Sequence, residues 1–351
     1  MDCFQNSYMK QLFALIIFTL SATSLYAQVG GNGAYRFLDL VYSGRIAALG
    51  GSWTSDPSGD INVGMWNPAL LDSTTHNHLA VNYVNYLSDI NYTNFAYGFS
   101  LNEKSAIGLG FKYVGYGTFI RADENGNQIG EFTAADYMLQ GGYGYQLNEN
   151  FRFGASLKFL YSSYEQYSSV GLASDFAATY HNEEERLTMS LIAKNIGFQL
   201  TPFGDERENL PFRLDYSISG KLKYMPLRWH FTWENLQRFD LTYEDPNLPT
   251  TDPLTGDPID NSIGFGGKVL RHISFGAELF TEKNFNLRAG YNFRRQAELG
   301  LEEIRSGSGF SFGVGFRVKK IRFDYARTAY HFAGASHHFS ITTDLNELFN
   351  Y

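Results

Sequence analysis

The feature that most constrains this chain is alternation: from Leu79 onward, segment after segment places aromatic or aliphatic residues at every second position and small or polar residues between them. Successive side chains of a strand point to opposite faces, so each such segment reads as a strand with two chemically different faces. In 151–163, Phe151, Phe153, Ala155, Leu157, Phe159 and Tyr161 share one face, and Arg152, Gly154, Ser156, Lys158 and Ser162 the other, with Leu160 the one exception. Phe212, Leu214, Tyr216, Ile218, Leu222 and Tyr224 likewise oppose Arg213, Asp215, Ser217, Ser219, Lys221 and Lys223. Strands are expected near 79–86, 92–101, 106–117, 131–146, 151–163, 168–181, 187–196, 212–224, 227–237, 272–280, 285–293, 309–319, 321–330 and 336–345, fourteen in all.

The connectors sort into two kinds. After even-numbered strands come short ones (102–105, 147–150, 181–186, 225–226, 281–284 and Lys320), and after most odd-numbered strands long, polar ones at 118–130, 197–211, 238–271 and 294–308. An even number of antiparallel strands with short turns at one end and long loops at the other describes a transmembrane β-barrel of the outer-membrane kind. Closure satisfies every backbone donor and acceptor in lipid without a free edge. This predicts an all-β antiparallel barrel in contact with outer-membrane lipid, its short turns periplasmic and its long loops extracellular. Alternation alone does not separate it from a soluble β-sandwich or barrel with the apolar face inward. The unbroken meander, the sorted connectors, and charges sharing a face with Gly and Ser favour the membrane barrel. The chain carries 30 Phe and 24 Tyr. Tyr83, Tyr86, Tyr92, Tyr97, Tyr113, Tyr116, Tyr143, Tyr145, Tyr161 and Tyr164 fall near strand ends, where interfacial girdles are expected.

The apolar run Leu12–Phe18 follows Lys10 and leads to small residues ending at Ala27, the pattern of a secretory signal peptide over 1–27, with Met9 an alternative start. The single cysteine, Cys3, falls inside that leader and ahead of the apolar run, which excludes a disulfide framework, a thiolate metal site and a lipid-modified cysteine in the mature chain. A formal net charge of −8 gives no footprint for nucleic acid.

No nucleophile elbow, HExxH, phosphate loop or dinucleotide fingerprint occurs, so no enzymatic activity, cofactor or metal site is expected. His337 and His338 are adjacent in a strand and face opposite ways; His76 and His78 lie at or before the first strand. Asp123, Asn125 and Asn127 resemble part of a calcium loop, but Gly126 is misplaced and no ligand Glu follows, which leaves a polar turn. Candidate lumen-facing charges are Arg152, Lys158, Arg213, Lys221, Lys223, Glu278 and Arg288, lining a passage or pairing with one another or with a plug. Since eight strands already make a barrel that side chains fill, fourteen leave a lumen that something else must occupy or pass through.

Residues 28–78 precede the first strand and are rich in Gly, Asp and Asn. Pro68 removes a ladder donor there, and Gly50, Gly51, Gly59 and Gly64 suit tight reversals, which fits a folded hatch better than another strand. AALGGSWTSDPSGDINVGMWNPALL resembles the N-terminal region of FadL-like outer-membrane proteins, in which an NPA sequence lies in a hatch inside the barrel; Trp66, Asn67, Pro68 and Ala69 carry that match. GGNGAYRFLDLVYSGRIAALGG, WNPALLD, HNHLAVNYVNYLSDINYTNFAYG and RHISFGAELFTEKNFNLRAGYNFRR, in this order, resemble the PorQ family of the type IX secretion system. The resemblance implies a fourteen-stranded FadL-type barrel that holds a PorZ-like surface protein, alongside PorU- and PorV-like components, in the complex attaching cargo to the cell surface. Anionic lipopolysaccharide is then an indirect partner, through PorZ. The alternative that the FadL likeness implies is a transporter of hydrophobic small molecules. After the last alternating stretch the chain adds NELFNY, which leaves Tyr351 beyond the strand that an aromatic terminus usually closes.

Overall fold

The computed structural model describes residues 33–242, 263–281, 283–300, 307–331 and 334–349; the expected leader and most of the Asp- and Pro-rich stretch at 240–260 lie outside the described residues. The chain opens with short helical pieces: a 3-10 turn at Arg36–Asp39, α1 (Gly44–Ala48), α2 (Ile61–Trp66), and 3-10 turns at Pro68–Leu70 and Ser73–Thr75. Seven strands follow: β1 (His78–Asn85), β2 (Asn91–Asn102), β3 (Ser105–Ala122), β4 (Gln128–Gln146), β5 (Phe151–Tyr164), β6 (Tyr167–Asn182) and β7 (Leu187–Thr201). Then come β8 (Arg213–Lys221), β9 (Leu227–Trp233), α3 (Phe265–Leu270), β10 (Ile273–Leu279) and β11 (Phe285–Asn292). The chain ends with α4 (Phe293–Leu299), β12 (Phe310–Val318), β13 (Ile321–His331), β14 (Gly334–Asp344) and α5 (Leu345–Phe349).

Each strand pairs with its neighbour in sequence, and β1 pairs antiparallel with β14 from His78↔Asp344 to Asn85↔His337, closing a fourteen-stranded barrel. Among the described residues no helix is long and apolar enough to cross a membrane. The side of the wall that faces lipid is plain. Leu109, Leu139, Leu157 and Phe312 stand 57–60% exposed on the outer surface. Asp175, Asp215, Glu278 and Arg288 on the alternate positions are buried inside. This is the reverse of a soluble barrel, whose apolar face is the buried one.

Several expectations shift at the ends. The expected loop at 118–130 is instead a continuation of β3 and β4, 18 and 19 residues long, whose register runs on to Ala122↔Gln128. About 9–11 residues cross the hydrocarbon, so this hairpin stands above the rest of the wall, with Phe119 stacked on Phe132. Strand β8 stops at Lys221, and Leu222–Pro226 form the turn. Four girdle candidates point inward instead: Tyr92 donates to the Val41 carbonyl at 2.8 Å, Tyr86 packs on the internal core beside it, and the Tyr116 and Tyr164 hydroxyls both contact Asp136.

The core lies inside the barrel. Tyr35, Phe37, Leu38, Tyr42, Ile46, Leu49, Trp53 and Trp66 of the N-terminal segment pack against inward-facing Val84, Val114, Met138, Leu160 and Ala326 of the wall. Leu160, the exception to alternation in β5, is fully buried and belongs to this contact surface. Burial of that apolar surface is the non-directional part of what retains the segment.

Candidate functional site

Residues 33–77 form a plug, and its many Asp, Asn, Ser and Gly residues are the means by which so short a stretch folds. Each helical piece is too short to persist alone, and four of the five begin on a capping side chain. Ser43 accepts from the Ile46 amide at 3.4 Å, Asp60 from Asn62 at 3.0 Å, Asn67 from Ala69 at 3.0 Å and Asp72 from Thr74 at 2.9 Å. Asn67-Pro68-Ala69 is therefore a cap followed by Pro at the first helical position, where its missing N–H costs nothing. The Asn67 amide also donates to the Thr54 carbonyl at 2.6 Å and to Thr179 of the wall at 3.4 Å. Gly50, Gly51 and Gly59 have positive φ, as the reversals require; Gly64 does not, and lies within α2, where a Cβ would strike Leu71.

Glycines of the wall receive the plug. A Cβ at Gly144 or Gly154 would overlap the backbone of Leu71 or of Pro68 and Ala69; at Gly290 it would overlap Leu49 and Gly50. Main chain thus lies on main chain with no side chain between, and Ala69 fits there beside Ala177 and Ile192. Trp66 meets Tyr42 edge-on with centroids 5.8 Å apart, and the Lys194 ammonium sits 3.6 Å from the Trp66 ring centroid. Lys194 Nζ is buried and has no hydrogen-bond acceptor among the described residues, so the indole face is its main neighbour.

Toward the short-turn end, one chain of alternating charges joins plug and wall. Arg45 of α1 bonds Glu278 of β10 through both Nε (3.1 Å) and Nη2 (2.8 Å), and through Nη1 reaches Asp56 at 2.6 Å and Asp60 at 3.2 Å. Glu278 also accepts from Arg288 Nε at 2.6 Å; Arg288 continues to Asp324 at 2.6 Å, and Asp324 to Arg322 at 3.0 Å. On the other side Asp56 accepts from Arg228 at 2.7 Å. With members this buried, the network holds only as a whole: removing one leaves its partner's charge without compensation in a low dielectric.

A second group lies nearer the long loops. Lys112 donates to the Phe37 and Leu40 carbonyls at 2.7 Å each, and so grips plug backbone. Lys158 bonds Asp175 at 2.8 Å and Asn195 at 2.9 Å; Arg213 bonds Asp215 at 2.7 Å and approaches Asp39 of the plug at 3.6 Å. Asn195 has left-handed backbone (φ 59°) at an irregularity in the β6–β7 register, the kind of bulge that re-aims a side chain. Glu234, past β9, accepts from Ser52 at 2.7 Å. Between these groups and Trp66 the cavity measures about 20 Å³, room for about one water molecule.

Of the residues singled out from sequence, Lys158, Arg213, Glu278 and Arg288 are buried in the lumen and paired, and Arg152 bonds Asp72 of the plug at 2.5 Å. Lys221, at the end of β8, lines a cavity of about 460 Å³ at the short-turn mouth with Arg186 and Arg228. Lys223 departs from the expectation: it lies in the exposed turn after β8, its ammonium 5.6 Å from the Tyr224 ring centroid, because the ladder ends three residues earlier than alternation suggested. Missed were Arg45, Asp56, Lys112, Lys194, Asp324 and Glu234. Lys112, Lys194 and Asp324 occupy the polar positions of alternating strands and were open to the same reading. Arg45 and Asp56 carry no periodic signal. Of the histidine pairs, His338 faces inward onto Ser336 at 2.8 Å and His337 outward onto Tyr325 at 2.8 Å. In the 123–127 turn the Asp123 carboxylate accepts from the Asn125 and Asn127 amides at 2.9 and 2.8 Å. Among the described residues no group of three His, Cys, Asp or Glu side chains is placed to hold a metal ion.

Fold and lumen together define a class: an outer-membrane β-barrel of fourteen strands with an N-terminal plug locked into its interior. The family model described as type IX secretion system protein PorV matches residues 32–193, which take in the plug, β1 to β6 and about half of β7. Among solved structures, the Pseudomonas putida toluene transporter TodX is similar, with 15% identity and a TM-score of 0.50, over 87% of this chain and 97% of that one. A Pseudomonas aeruginosa FadL homologue aligns over 87% of this chain and 98% of its own at 13% identity and a TM-score of 0.46. At such identities the likeness is one of fold. Comparison with curated proteins finds no match.

Proposed function

We propose that this chain is a non-enzymatic barrel subunit of the type IX secretion system that serves as a docking platform, holding a PorZ-like surface protein in the complex that attaches cargo to the cell surface. The observation that carries the reading is the plugged lumen: a plug seated on wall glycines and tied by Arg45 to Glu278, with about 20 Å³ left between Trp66 and the inward-facing lysines. A barrel filled in this way offers a partner its loops and rims. The family match to a type IX secretion component supports the system; the PorZ-like partner is what the PorQ-like segments imply. In this reading the short turns face the periplasm and the long loops the outside, with PorU- and PorV-like components alongside and lipopolysaccharide reached through PorZ.

The second reading, a transporter of hydrophobic small molecules, draws on the fold shared with the toluene transporter. Transport calls for an apolar pocket near 65–72. Those residues instead pack on Gly108, Gly142, Gly144 and Gly154, and the adjoining cavity is lined by Lys112, Lys158, Lys194 and Arg213. Deleting the gene tests the proposal: PorZ should leave the surface and cargo should be shed. Retention of both would refute it.

A further inference from the structure

The β3–β4 hairpin leaves the wall with both edges open. β2 pairs with β3 only as far as Asn91↔Gly115, and β5 with β4 only as far as Ala134↔Tyr164, whereas β3 and β4 pair with each other on to Ala122↔Gln128. Among the described residues the hydrogen-bonded attachment beyond those points is on the β4 side, where the Glu165 amide donates to the Thr133 carbonyl at 3.3 Å and the Glu165 carboxylate pairs with Arg121. A Thr133 carbonyl directed away from β3 marks Thr118↔Thr133 as a pair that exchanges no bonds. By alternation Thr118, Ile120 and Ala122 then turn their N–H and C=O groups outward along the β3 edge, where no described residue bonds them. Edges are ordinarily blunted by Pro, Lys or a cover, and 116–133 contains neither Pro nor Lys. A two-stranded ribbon alone is only marginally stable in water.

Lipid does not cover this ribbon. Outward-facing Tyr113, Tyr137 and Tyr161 lie opposite one another on β3, β4 and β5, with ring centroids 5.2 and 5.9 Å apart, as in an interfacial girdle. Phe119 follows Tyr113 by six residues, roughly 20 Å further along the strand. Yet Ile120 and Ile129 are 58% and 59% exposed there, and Phe119 41%. Charge near the ribbon is of one sign. Tyr164 of the β5–β6 turn stacks on Phe203 of the 202–211 connector, and over 116–133, 163–168 and 202–211 seven carboxylates stand against two arginines, one of which, Arg121, already pairs with Glu165. We propose that the β3 edge of the ribbon holds the surface partner by strand addition, taking an extended segment of that protein that carries both apolar and basic side chains. Main-chain groups open at strand spacing are met by another strand; Phe119 and Ile120 select its apolar residues, and Glu124 and Glu131 its basic ones. The inference rests on the docking reading and names its contact.

The test uses the tagged full chain in detergent-solubilised outer membranes and reads its binding to the surface protein that accompanies it. Ile120→Pro removes one outward donor and no bond of the ribbon's own ladder, and should weaken binding about fivefold, as the loss of one main-chain hydrogen bond does. Thr133→Pro, which removes an N–H on the β4 edge, should leave binding unchanged. Replacing 117–132 with Asn-Gly, a turn that closes two antiparallel strands, should abolish it. Heat-modifiable gel migration checks that each barrel folds. A photoactivatable benzophenone at position 120 should link to the partner within a segment bearing apolar and basic residues. The outcomes separate the two readings. A wild-type chain that brings no surface protein defeats the docking reading and this contact with it. A partner that stays with the shortened chain, an equal loss from Thr133→Pro, or a link from position 120 to a second copy of this chain defeats the contact alone.

Discussion

Arg45 of the plug and Glu278 of the wall are joined by two hydrogen-bonded contacts, 3.1 and 2.8 Å long, across 233 residues of sequence. The first prediction follows from that pair. Arg45→Ala leaves Glu278 and Asp56 each short of a counter-charge inside the barrel, which should lower stability by about 3–5 kcal/mol. Urea unfolding of the refolded protein reads the loss as a lower midpoint, and limited proteolysis should then cut within 33–77. Arg45→Met combined with Glu278→Leu should recover part of the loss, since a matched apolar pair leaves no orphaned charge at those two positions.

Gly154 is predicted to be intolerant of any side chain. A Cβ there meets the backbone of Pro68 and Ala69, which have no rotamer with which to yield. Gly154→Val should cost about 1–3 kcal/mol through overpacking, or displace the plug. The two outcomes separate by protease cleavage within 33–77, whereas Gly141→Val, where a Cβ meets nothing within 4 Å, should be mild by both measures.

Leu157 lies midway along β5 and is 59% exposed on the outer face. If that face contacts hydrocarbon, Leu157→Arg should cost about 2–4 kcal/mol of folding stability in bilayers. Reversible refolding into vesicles measures this. A cost near zero would mean that the outer face meets water.

In the long-loop region, Lys268 of α3 bonds Asp240 at 2.6 Å and holds that carboxyl well below its ordinary value of 3.8, with the Thr242 hydroxyl and amide assisting. A depressed folded value means that the contribution is fully present above the ordinary value and is lost as pH falls through the folded one. Amide protection in 263–272, corrected for the intrinsic pH dependence of exchange, should therefore be flat from neutrality to about pH 4, fall below it, and lose that dependence in Asp240→Asn.

Much of this was legible from period-two patterning, because a strand has only two faces and lipid makes them chemically unlike. All fourteen strands and the inward side of Lys158, Arg213, Glu278 and Arg288 follow from it. Alternation fails where a ladder ends, since residues beyond the last pair keep the pattern without its constraint; Lys223 shows this, and the β3–β4 hairpin shows the converse. The plug was visible only as a change of composition. Its capping residues announce short helical turns, but the wall residues that each side chain will meet depend on contacts more than a hundred positions away, such as Arg45 with Glu278. Leu160 read as an error of alternation because its apolar neighbour is the plug rather than lipid.

The central claim is that a barrel closed in this way works by holding a partner at the cell surface. Affinity purification of the tagged chain from detergent-solubilised outer membranes, with mass spectrometric identification of what accompanies it, tests this most directly. The account predicts a PorZ-like surface protein in near-stoichiometric amount. A barrel that elutes alone under conditions in which other outer-membrane assemblies stay intact would contradict it.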